Sequence, residues 1–318
     1  MQAYKKNILK IAELGGAFAF LRHKARYEPK LLMYHRVIDH PLIDAVKPEE
    51  FERQMAYLKK KYHVVSMNQL IQELQNDDIQ PCTVALTFDD GHFDFYHHAW
   101  PVLKKYELPA SLYVTTDFVD NKRWLWPDQL KYLLANTTER QLQFEPLGNI
   151  AIGSDTVLEA WNDIADILLE MSEEARAEAL ADIAEQLGIT VTGEALAPFR
   201  PVTWPELKAM HAEGLDIGAH TVSHAILGRV SDDQLDFELR QSAKRIQEQI
   251  GVAPEGICYP NGRKEDVSEN VFLKAEAHGY SYGLVAYKQK VSIDRRYQLG
   301  RVSPPRDIFE FRWQLARS

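Results

Sequence analysis

Short apolar runs alternate along the chain with longer segments whose apolar residues recur at helical spacing. Seven runs have the length and the β-branched or aromatic composition of buried strands, namely residues 31–35, 64–67, 83–88, 110–114, 215–219, 256–259 and 280–285. Helical patterns lie at 48–61, 100–106 and 231–251. Strands that alternate with helices predict parallel β/α units. Units of this kind that close on themselves would form an irregular (β/α)7–8 barrel.

The alternation stops between about residue 120 and residue 200. Residues 161–187 are rich in Ala, Glu and Leu, and their apolar positions repeat with a helical period. We interpret 120–200 as a helical insertion in a βα loop, because such loops are where barrels of this architecture vary their substrate sites. The rest of 29–318 is expected to form the barrel.

The first 28 residues have an amphipathic pattern of their own. Basic residues flank an apolar centre that Lys10 and Glu13 interrupt. The interruption argues against a secretory signal, and the segment is too short to span a bilayer. We favour an amphipathic helix packed on the body of the protein. A peripheral membrane helix formed by residues 1–26 is the alternative.

The composition of the 318 residues limits the class of protein. With 45% apolar and 26% charged residues, the chain is typical of soluble globular proteins with an ample core. A formal net charge of −9 argues against nucleic acid as a partner. The two cysteines, Cys82 and Cys258, lack metal-type spacing and do not support a disulfide framework. We expect a cytoplasmic protein, with peripheral contact at the inner membrane as the alternative.

Two runs carry the candidate chemistry, and each follows a predicted strand. Leu-Thr-Phe-Asp-Asp-Gly ends with adjacent carboxylates at Asp89 and Asp90. Gly-Ala-His-Thr-Val-Ser-His contains imidazoles at His220 and His224. Two imidazoles and one carboxylate make a three-ligand metal site with open positions, and the second carboxylate could act as a base. Each run alone is unspecific, because Asp-Asp-Gly is common in turns and histidine pairs occur in cores and on surfaces. Their occurrence together after two strands favours the metal site.

The polar candidates share one position relative to the predicted strands, at or just past the carboxyl end. They are His35, Asp89, Asp90, His220, His224 and Asn261. The carboxyl ends of the strands of a β/α barrel form the rim that carries its active site. Polar residues placed at random would lie on both rims. The placement therefore predicts that these side chains belong to one site.

These motifs resemble those of the polysaccharide deacetylases of carbohydrate esterase family 4, which share the NodB homology domain. Residues 87–91 are similar to the first motif of the family, 220–224 to its second and 259–262 to its third. The resemblance covers most of 30–118 and 200–302. It implies a barrel of the NodB type, hydrolysis of an amide bond and a bound metal ion.

The resemblance also implies roles for individual residues. The first aspartate of the first motif is the catalytic base of the family, and the second binds the metal together with both histidines. These roles fall on Asp89 as the base and on Asp90, His220 and His224 as the ligands. Two imidazoles and a carboxylate suit Zn2+ best, with Ni2+, Co2+, Fe2+ or Mn2+ as alternatives.

Two departures from the family concern proton transfer. Cys258 stands where the third motif usually has an arginine that orients the base. Gly300 and Arg301 follow Leu299, where the last motif usually has a histidine that acts as general acid. We expect His35 to supply the acid, because it ends the first strand on the same rim.

The remaining candidates concern the substrate. The backbone N–H of Asn261, in a Tyr-Pro-Asn-Gly turn, is the candidate donor to the oxyanion. Trp124 and Trp126 follow the fourth strand and could stack on a sugar ring, although tryptophans also fill cores. Tyr259 and Arg301 are further candidate substrate contacts, and a salt bridge is the alternative role of Arg301.

The leading hypothesis is a metal-dependent deacetylase that hydrolyses the N-acetyl group of an amino sugar in a polysaccharide or a lipid-linked glycan. A deformylase or deacetylase that acts on a lipid-linked sugar at the inner membrane is a close alternative. An amidohydrolase for a small non-sugar amide is another. A non-catalytic sugar-binding protein is the alternative from a different class, because the usual arginine and terminal histidine are missing.

Overall fold

Eight parallel strands form one sheet that curves into a nearly closed barrel, and two further strands form a separate hairpin. The computed structural model describes Leu9, Glu13, residues 15–191 and residues 194–317. In chain order the strands are β1 (Lys30–Tyr34), β2 (His63–Val65), β3 (Thr83–Phe88), β4 (Ser111–Val114), β5 (Gln141–Phe144), β6 (Gly148–Ala151), β7 (Asp216–Ala219), β8 (Gly256–Cys258), β9 (Tyr282–Val285) and β10 (Leu299–Gly300).

Helices precede, separate and follow these strands. In chain order they are α1 (Ala17–Lys24), α2 (Pro48–Lys61), α3 (Met67–Gln75), α4 (Trp100–Lys105), α5 (Thr116–Val119), α6 (Trp126–Asn136), α7 (Val157–Glu170), α8 (Glu173–Gln186), α9 (Trp204–Ala212), α10 (Asp232–Ile250), α11 (Glu269–Ala277) and α12 (Ile308–Arg317). A π-helical turn at Phe95–Ala99 precedes α4, and short 3-10 segments lie at Leu227–Arg229, Lys264–Asp266 and Ile293–Gln298.

The strand order is β1-β3-β4-β7-β8-β9-β10, and β2 pairs with the beginning of β3. The barrel closes just beyond β10, where Val302 bridges Leu32 of β1. The N–H of Val302 donates to the carbonyl of Leu31 at 2.9 Å, and the N–H of Met33 donates to the carbonyl of Val302 at 3.0 Å. The predicted irregular β/α barrel is confirmed. β10 was not among the predicted strands, because two residues are too few to show a pattern.

The apolar pattern explains how the barrel is covered on both faces. All six residues of β3 are buried, as a continuous apolar run predicts for a parallel strand with helices outside and a packed interior. Outside, α2 turns Phe51, Met55 and Leu58 towards the sheet at the spacing of one helical face. The capping box of Thr203 and Glu206 fixes the start of α9.

Glycines on three adjacent strands make room for tyrosine rings inside the barrel. A Cβ on Gly218 would overlap the ring of Tyr113, and one on Gly256 would overlap the ring of Tyr282. A Cβ on Gly283 would likewise overlap Tyr259. The hydroxyls of Tyr113 and Tyr282 share a hydrogen bond of 2.9 Å. Because these three positions are glycines, the rings of Tyr113, Tyr282 and Tyr259 can fill the interior of the barrel.

The segment between β4 and β7 packs around a hydrophobic cluster of its own. The cluster joins α6, α7 and α8 with the antiparallel hairpin β5–β6 through residues such as Leu133, Leu142, Ile164 and Ile183. The helical pattern of 161–187 divides into two helices, and the hydroxyl of Ser172 accepts from the N–H of Ala175 to begin the second. The hairpin was not predicted, since its strands have few apolar positions. The division of the chain into insertion and barrel stays a prediction.

The N-terminal helix α1 lies against the C-terminal helix α12. The rings of Phe18 and Trp313 have centroids 5.4 Å apart, and Ala316 completes this small cluster. Phe20 is exposed on the other side. Most of the remainder of the predicted helix 1–28 lies outside the described residues. Within the described part of the chain, no helix combines the length and hydropathy needed to cross a bilayer.

Candidate metal centre and active site

The carboxyl ends of five strands place the candidate side chains on one rim. His35 follows β1, Asp89 and Asp90 follow β3, His220 and His224 follow β7, Asn261 lies beyond β8, and Arg301 follows β10. Since all these strands are parallel, their carboxyl ends share one edge of the barrel. The positions therefore agree with the predicted rim.

The backbone at this rim adopts conformations that residues with a Cβ rarely adopt. Asp90, Thr221, His224 and Asn261 have φ angles of 76°, 66°, 64° and 56°. Each such residue costs on the order of 1–3 kcal/mol and persists only where its surroundings hold it. Gly91 continues the turn with a φ of 93°. Strain concentrated at one place is typical of a functional site.

Asp90, His220 and His224 form a compact donor set. The Oδ1 of Asp90 lies 3.4 Å from the Nε2 of His220 and 3.4 Å from the Nε2 of His224. One ligand atom from each side chain lies within 4.8 Å of the others. In a tetrahedral zinc site, bonds of about 2.0–2.1 Å put neighbouring ligand atoms about 3.3–3.4 Å apart. The donor atoms and their spacing therefore fit a bound metal ion.

A backbone carbonyl orients the first of the two histidines. The Nδ1 of His220 lies 2.7 Å from the carbonyl oxygen of Cys258, which can only accept, so Nδ1 carries the proton. Nε2 is the nitrogen that faces Asp90, and it is the ring atom that would bind a metal ion in its unprotonated form. The Nδ1 of His224 is buried and has no hydrogen-bond partner among the described residues.

A buried glutamate holds the turn that carries His224. The Oε2 of Glu238 on α10 accepts from the N–H groups of Val222 and Ser223 at 2.7 and 3.0 Å. Its Oε1 accepts from the hydroxyl of Ser223 and from the Nε2 of Gln234. Glu238 was not among the predicted site residues. Its signal was a carboxylate on the apolar face of an amphipathic helix, where a buried charge needs partners.

Arg301 clamps Asp89 from inside the barrel. Its Nη1 donates to Oδ1 at 2.7 Å and its Nη2 donates to Oδ2 at 2.8 Å, with both side chains almost fully buried. Nη1 also contacts the hydroxyl of Thr87, and Nη2 lies 2.9 Å from the Sγ of Cys258. Arg301 therefore binds the predicted base beside the side chain of Cys258, which occupies the position of the family's arginine.

Hydrogen bonds keep both adjacent carboxyls ionised. Burial alone would raise the pKa of Asp89, but the guanidinium of Arg301 lowers that pKa below its usual range. Burial would also raise the pKa of Asp90, and the hydrogen bonds to His220 and His224 hold that pKa well below its usual range. Asp90 is therefore available as an anionic ligand and Asp89 as a proton acceptor.

His35 and Asn261, the other two predicted catalytic residues, flank this centre in different ways. The Nε2 of His35 lies 3.7 Å from the Oδ2 of Asp89, and its side chain is 46% exposed, so it is open to a substrate. The Nδ2 of Asn261 is buried without a hydrogen-bond partner among the described residues. The catalytic roles of both residues stay predictions.

A cavity of about 870 Å³ adjoins the donor set and is lined by His224, Trp124 and Trp126. Two predicted substrate contacts do not line it. Tyr259 is buried, with its hydroxyl bonded to the carbonyl of Tyr297, and Arg301 is buried against Asp89. The prediction that these two bind substrate is corrected, because Gly283 lets the tyrosine ring fill the barrel and Asp89 engages the guanidinium.

A second cluster of buried polar side chains adjoins Asp90 and consists of His92, Asp128 and Arg36. The Nε2 of His92 is 2.6 Å from the Oδ2 of Asp128, and the Nη1 of Arg36 approaches the same oxygen at 3.7 Å. The Nδ1 of His92 faces the Oδ2 of Asp90 at 3.6 Å and has no hydrogen-bond partner in the described part of the chain. His92 was missed although it directly follows Gly91, because its partner Asp128 lies 36 residues away.

Fold and donor set together define a β/α-barrel protein with a candidate metal centre at the carboxyl rim of its sheet. The sequence matches the family described as polysaccharide deacetylase over residues 76–141 and 158–283, more than half of the chain. The chain therefore belongs to the polysaccharide deacetylase family, as its motifs predicted. This family consists of hydrolases that act on amide bonds.

Individual relatives agree with this assignment. YxkH of Bacillus subtilis (strain 168) is 31% identical over 103 residues, which are 32% of this chain and 37% of that protein. The Streptococcus pyogenes deacetylase PplD, whose structure was solved in complex with acetate, has 19% sequence identity to this chain. The two structures match with a TM-score of 0.63 over 92% of this chain and 99% of that one. IcaB from Ammonifex degensii is 18% identical, with a TM-score of 0.58 over 92% and 97%. At these identities the two structures establish the fold.

Proposed function

We propose that this protein is a metal-dependent deacetylase that removes the N-acetyl group from an amino sugar in a polysaccharide or lipid-linked glycan. The observation that carries the proposal is that the two neighbouring carboxylates, Asp89 and Asp90, have different partners. Asp90 lies with His220 and His224 in a metal-type donor set, whereas both carboxylate oxygens of Asp89 accept hydrogen bonds from Arg301. A hydrolytic centre needs both parts, a ligand set and a base that does not itself bind the ion.

Hydrolysis of the amide forms a bond from water oxygen to the acyl carbon and breaks the bond from that carbon to nitrogen. Asp90, His220 and His224 would hold a divalent cation, which would supply Lewis-acid polarisation of the acyl group and would acidify the attacking water. The donor set favours Zn2+ as that cation, with Ni2+, Co2+, Fe2+ or Mn2+ as alternatives. Asp89 accepts the proton of the water. The products are acetate and the free amine.

Orientation of the base follows from its two hydrogen bonds. Arg301 occupies one lone pair on each oxygen of Asp89 and fixes the plane of the carboxylate. The proton for the leaving amine comes, in this proposal, from His35, whose exposed ring lies beside Asp89. The backbone N–H of Asn261 is the proposed donor to the developing oxyanion. Trp124 and Trp126 support a saccharide as substrate, since they line the adjoining cavity.

The test measures acetate release from N-acetylated glucosamine oligosaccharides by the metal-loaded protein, with and without a chelator. Asp89→Asn should lower kcat by at least about 100-fold while metal affinity is kept, as expected for loss of a general base. Asp90→Asn should lose metal affinity and turnover together. Exposed Asp39→Asn serves as the matched control and should change neither quantity.

Two outcomes would contradict the proposal. Metal-loaded protein that releases no acyl group from a broad panel of N-acylated saccharides would be a binding protein. Equal loss of metal affinity in Asp89→Asn and Asp90→Asn would place both carboxylates in the ligand set and leave no base. The sugar-binding alternative rested on a missing arginine and a missing histidine, and the position of Arg301 beside Asp89 removes the first of these arguments.

A further inference from the structure

Arg176 is a buried cation in the wall of the cavity beside the donor set. It lies on α8, its exposure is 8%, and it lines the cavity that His224 also lines. The Cζ of its guanidinium is 5.2 Å from the centre of the Trp126 ring. An aromatic face attracts a cation but does not neutralise its charge. Arginine stays charged in proteins, so a bound anion would stabilise this buried guanidinium.

No carboxylate within the described residues forms an ion pair or hydrogen bond with Arg176. The nearest candidate is Glu173, which attracts Arg176, but its Oε1 is bound to the Nη1 of Arg123 at 2.7 Å. Burial lowers the pKa of Arg176, and the neighbouring cations Arg123 and Arg229 lower it further. Arg176 is therefore a buried cation that Glu173 attracts without forming an ion pair with it, and that the cations Arg229 and Arg123 repel.

The other basic residues of the cavity differ from Arg176 in this respect. Arg229 pairs with Glu170 at 3.0 Å and with Asp266 at 3.0 Å. Lys122 pairs with Asp117 and with Asp120. Within the described residues, each of these cations thus has a carboxylate in ion-pair contact, whereas Arg176, the most buried of them, has none.

The position of this charge limits what would neutralise it. The cavity of about 870 Å³ is in the range that encloses a small ligand, here one or a few sugar rings. Trp124 and Trp126 provide aromatic surface in the same wall as Arg176, and His224 links the wall to the candidate metal centre. A group bound at Arg176 would therefore belong to the same molecule whose amide reaches the centre.

We propose that Arg176 binds an anionic group of the substrate, a carboxylate or a phosphate carried by the N-acylated sugar or by the unit next to it. The inference rests on the proposed function for the identity of the sugar. The planar guanidinium matches the oxygen pair of either anion and is already oriented by the Trp126 ring. Neutral saccharides leave the charge unneutralised and are poorer ligands.

The kinetic test compares three N-acetylated amino sugars: neutral N-acetylglucosamine, its 1-phosphate and the carboxylate-bearing N-acetylmuramic acid. We expect kcat/KM for at least one anionic sugar to exceed that for the neutral sugar by about 10-fold or more, as hydrogen bonds to charged groups allow. Arg176→Met should abolish this preference and Arg176→Lys should retain part of it. Lys122→Gln removes a cation of the same cavity that already has carboxylate partners, so the preference should persist. The better anionic sugar identifies the source of the anion.

Stability separates recognition from a structural role. Removal of a buried unpaired charge should leave the midpoint of thermal unfolding of ligand-free Arg176→Met equal to or above that of the wild type. A lower midpoint together with an unchanged anion preference would make Arg176 structural and overturn the inference. Equal kcat/KM for all three sugars in the wild type would also overturn it.

Binding distinguishes failure of this inference from failure of the proposed function. Calorimetric titration of metal-loaded Asp89→Asn with the same three sugars measures affinity without turnover. Anion preference that depends on Arg176, in a protein that releases no acetate, would support this inference while contradicting deacetylation. Acetate release without any anion preference in affinity or kcat/KM would support deacetylation and contradict the anion-binding role of Arg176.

Discussion

Arg301 binds Asp89 through both carboxylate oxygens, although 212 residues separate them in the chain. The guanidinium enters from β10, whereas the family's arginine would enter from the position of Cys258 at the end of β8. Because the Sγ of Cys258 lies 2.9 Å from the Nη2 of Arg301, side chains from both positions reach the same place beside Asp89. In this barrel the residue after β10 therefore supplies the arginine that binds Asp89, the proposed base.

Loss of this arginine should affect turnover more than metal binding. Arg301→Met leaves Asp89 buried without its partner, which costs about 3–5 kcal/mol of unfolding free energy. We expect kcat for acetate release to fall by at least about 10-fold, with metal affinity within a few-fold of wild type, because an interaction that orients the base is lost. Arg296→Met changes an exposed arginine five residues earlier, and its unfolding free energy should stay within about 0.5 kcal/mol of the wild-type value.

A double substitution tests whether the two strands are equivalent sources of the guanidinium. Cys258→Arg combined with Arg301→Met should recover part of the kcat that Arg301→Met loses, since the new side chain begins beside the vacated place. Steady-state kinetics of the single and double variants provides the comparison. Recovery no greater than that of a Cys258→Met and Arg301→Met control would mean that geometry at β8 no longer suits an arginine.

Glu238 should be needed for metal affinity although it is not a ligand. Glu238→Gln leaves one acceptor oxygen in place of two, so the donors of Val222, Ser223 and Gln234 can no longer all be satisfied and the turn that carries His224 is held less firmly. We expect unfolding in urea to show a loss of about 1.5–3 kcal/mol. Metal affinity should fall about 10–100-fold, as for other groups that orient ligands. Glu248→Gln, on an exposed part of the same helix, should leave both measurements unchanged.

Replacement of a glycine that packs against a tyrosine ring inside the barrel by a larger residue should destabilise the protein. Gly218→Ala puts a methyl group into the ring of Tyr113, and overpacking of this kind costs about 1–3 kcal/mol. Denaturant unfolding should show partial compensation in Gly218→Ala with Tyr113→Leu, because the smaller side chain vacates the space. Additive losses in the double variant would show that the backbone of β7, and not the ring, limits this position.

The ion pair of Asp120 with Arg245 should contribute stability that depends on pH. Burial alone would raise the pKa of Asp120, but hydrogen bonds from Arg245, Lys122 and Trp204 lower that pKa below its ordinary value of 3.8. A lowered carboxyl pKa stabilises the folded state above the ordinary value, and this contribution is lost as the pH falls through the folded value.

Asp120→Asn should therefore lower the unfolding free energy by about 1–3 kcal/mol near neutral pH. The difference from wild type should shrink once the pH falls below about 4. Urea titrations between neutral pH and the acid limit of folding measure this trend. A difference that stays constant over the whole range would assign the stabilisation to packing and not to charge.

Local features of the sequence were sufficient for the strands and for the two halves of the metal-type site. Strands such as β3 are continuous apolar runs, and their pattern does not depend on what packs against them. Asp90, His220 and His224 follow strand ends, and parallel strands bring their carboxyl ends to one rim. Residue type, spacing and strand direction thus predicted which side chains meet at the rim, and the roles of metal ligand and base stay proposals.

Only the tertiary structure decided what surrounds those residues. The partner of Asp89, the burial of Tyr259, the anchor of the His224 turn and the unpaired charge of Arg176 all depend on contacts between distant parts of the chain. Such contacts follow from strand order, barrel closure at Val302 and the room left by glycines. None of these features has a local sequence pattern, because each depends on segments that are distant in the chain and meet only in the folded barrel.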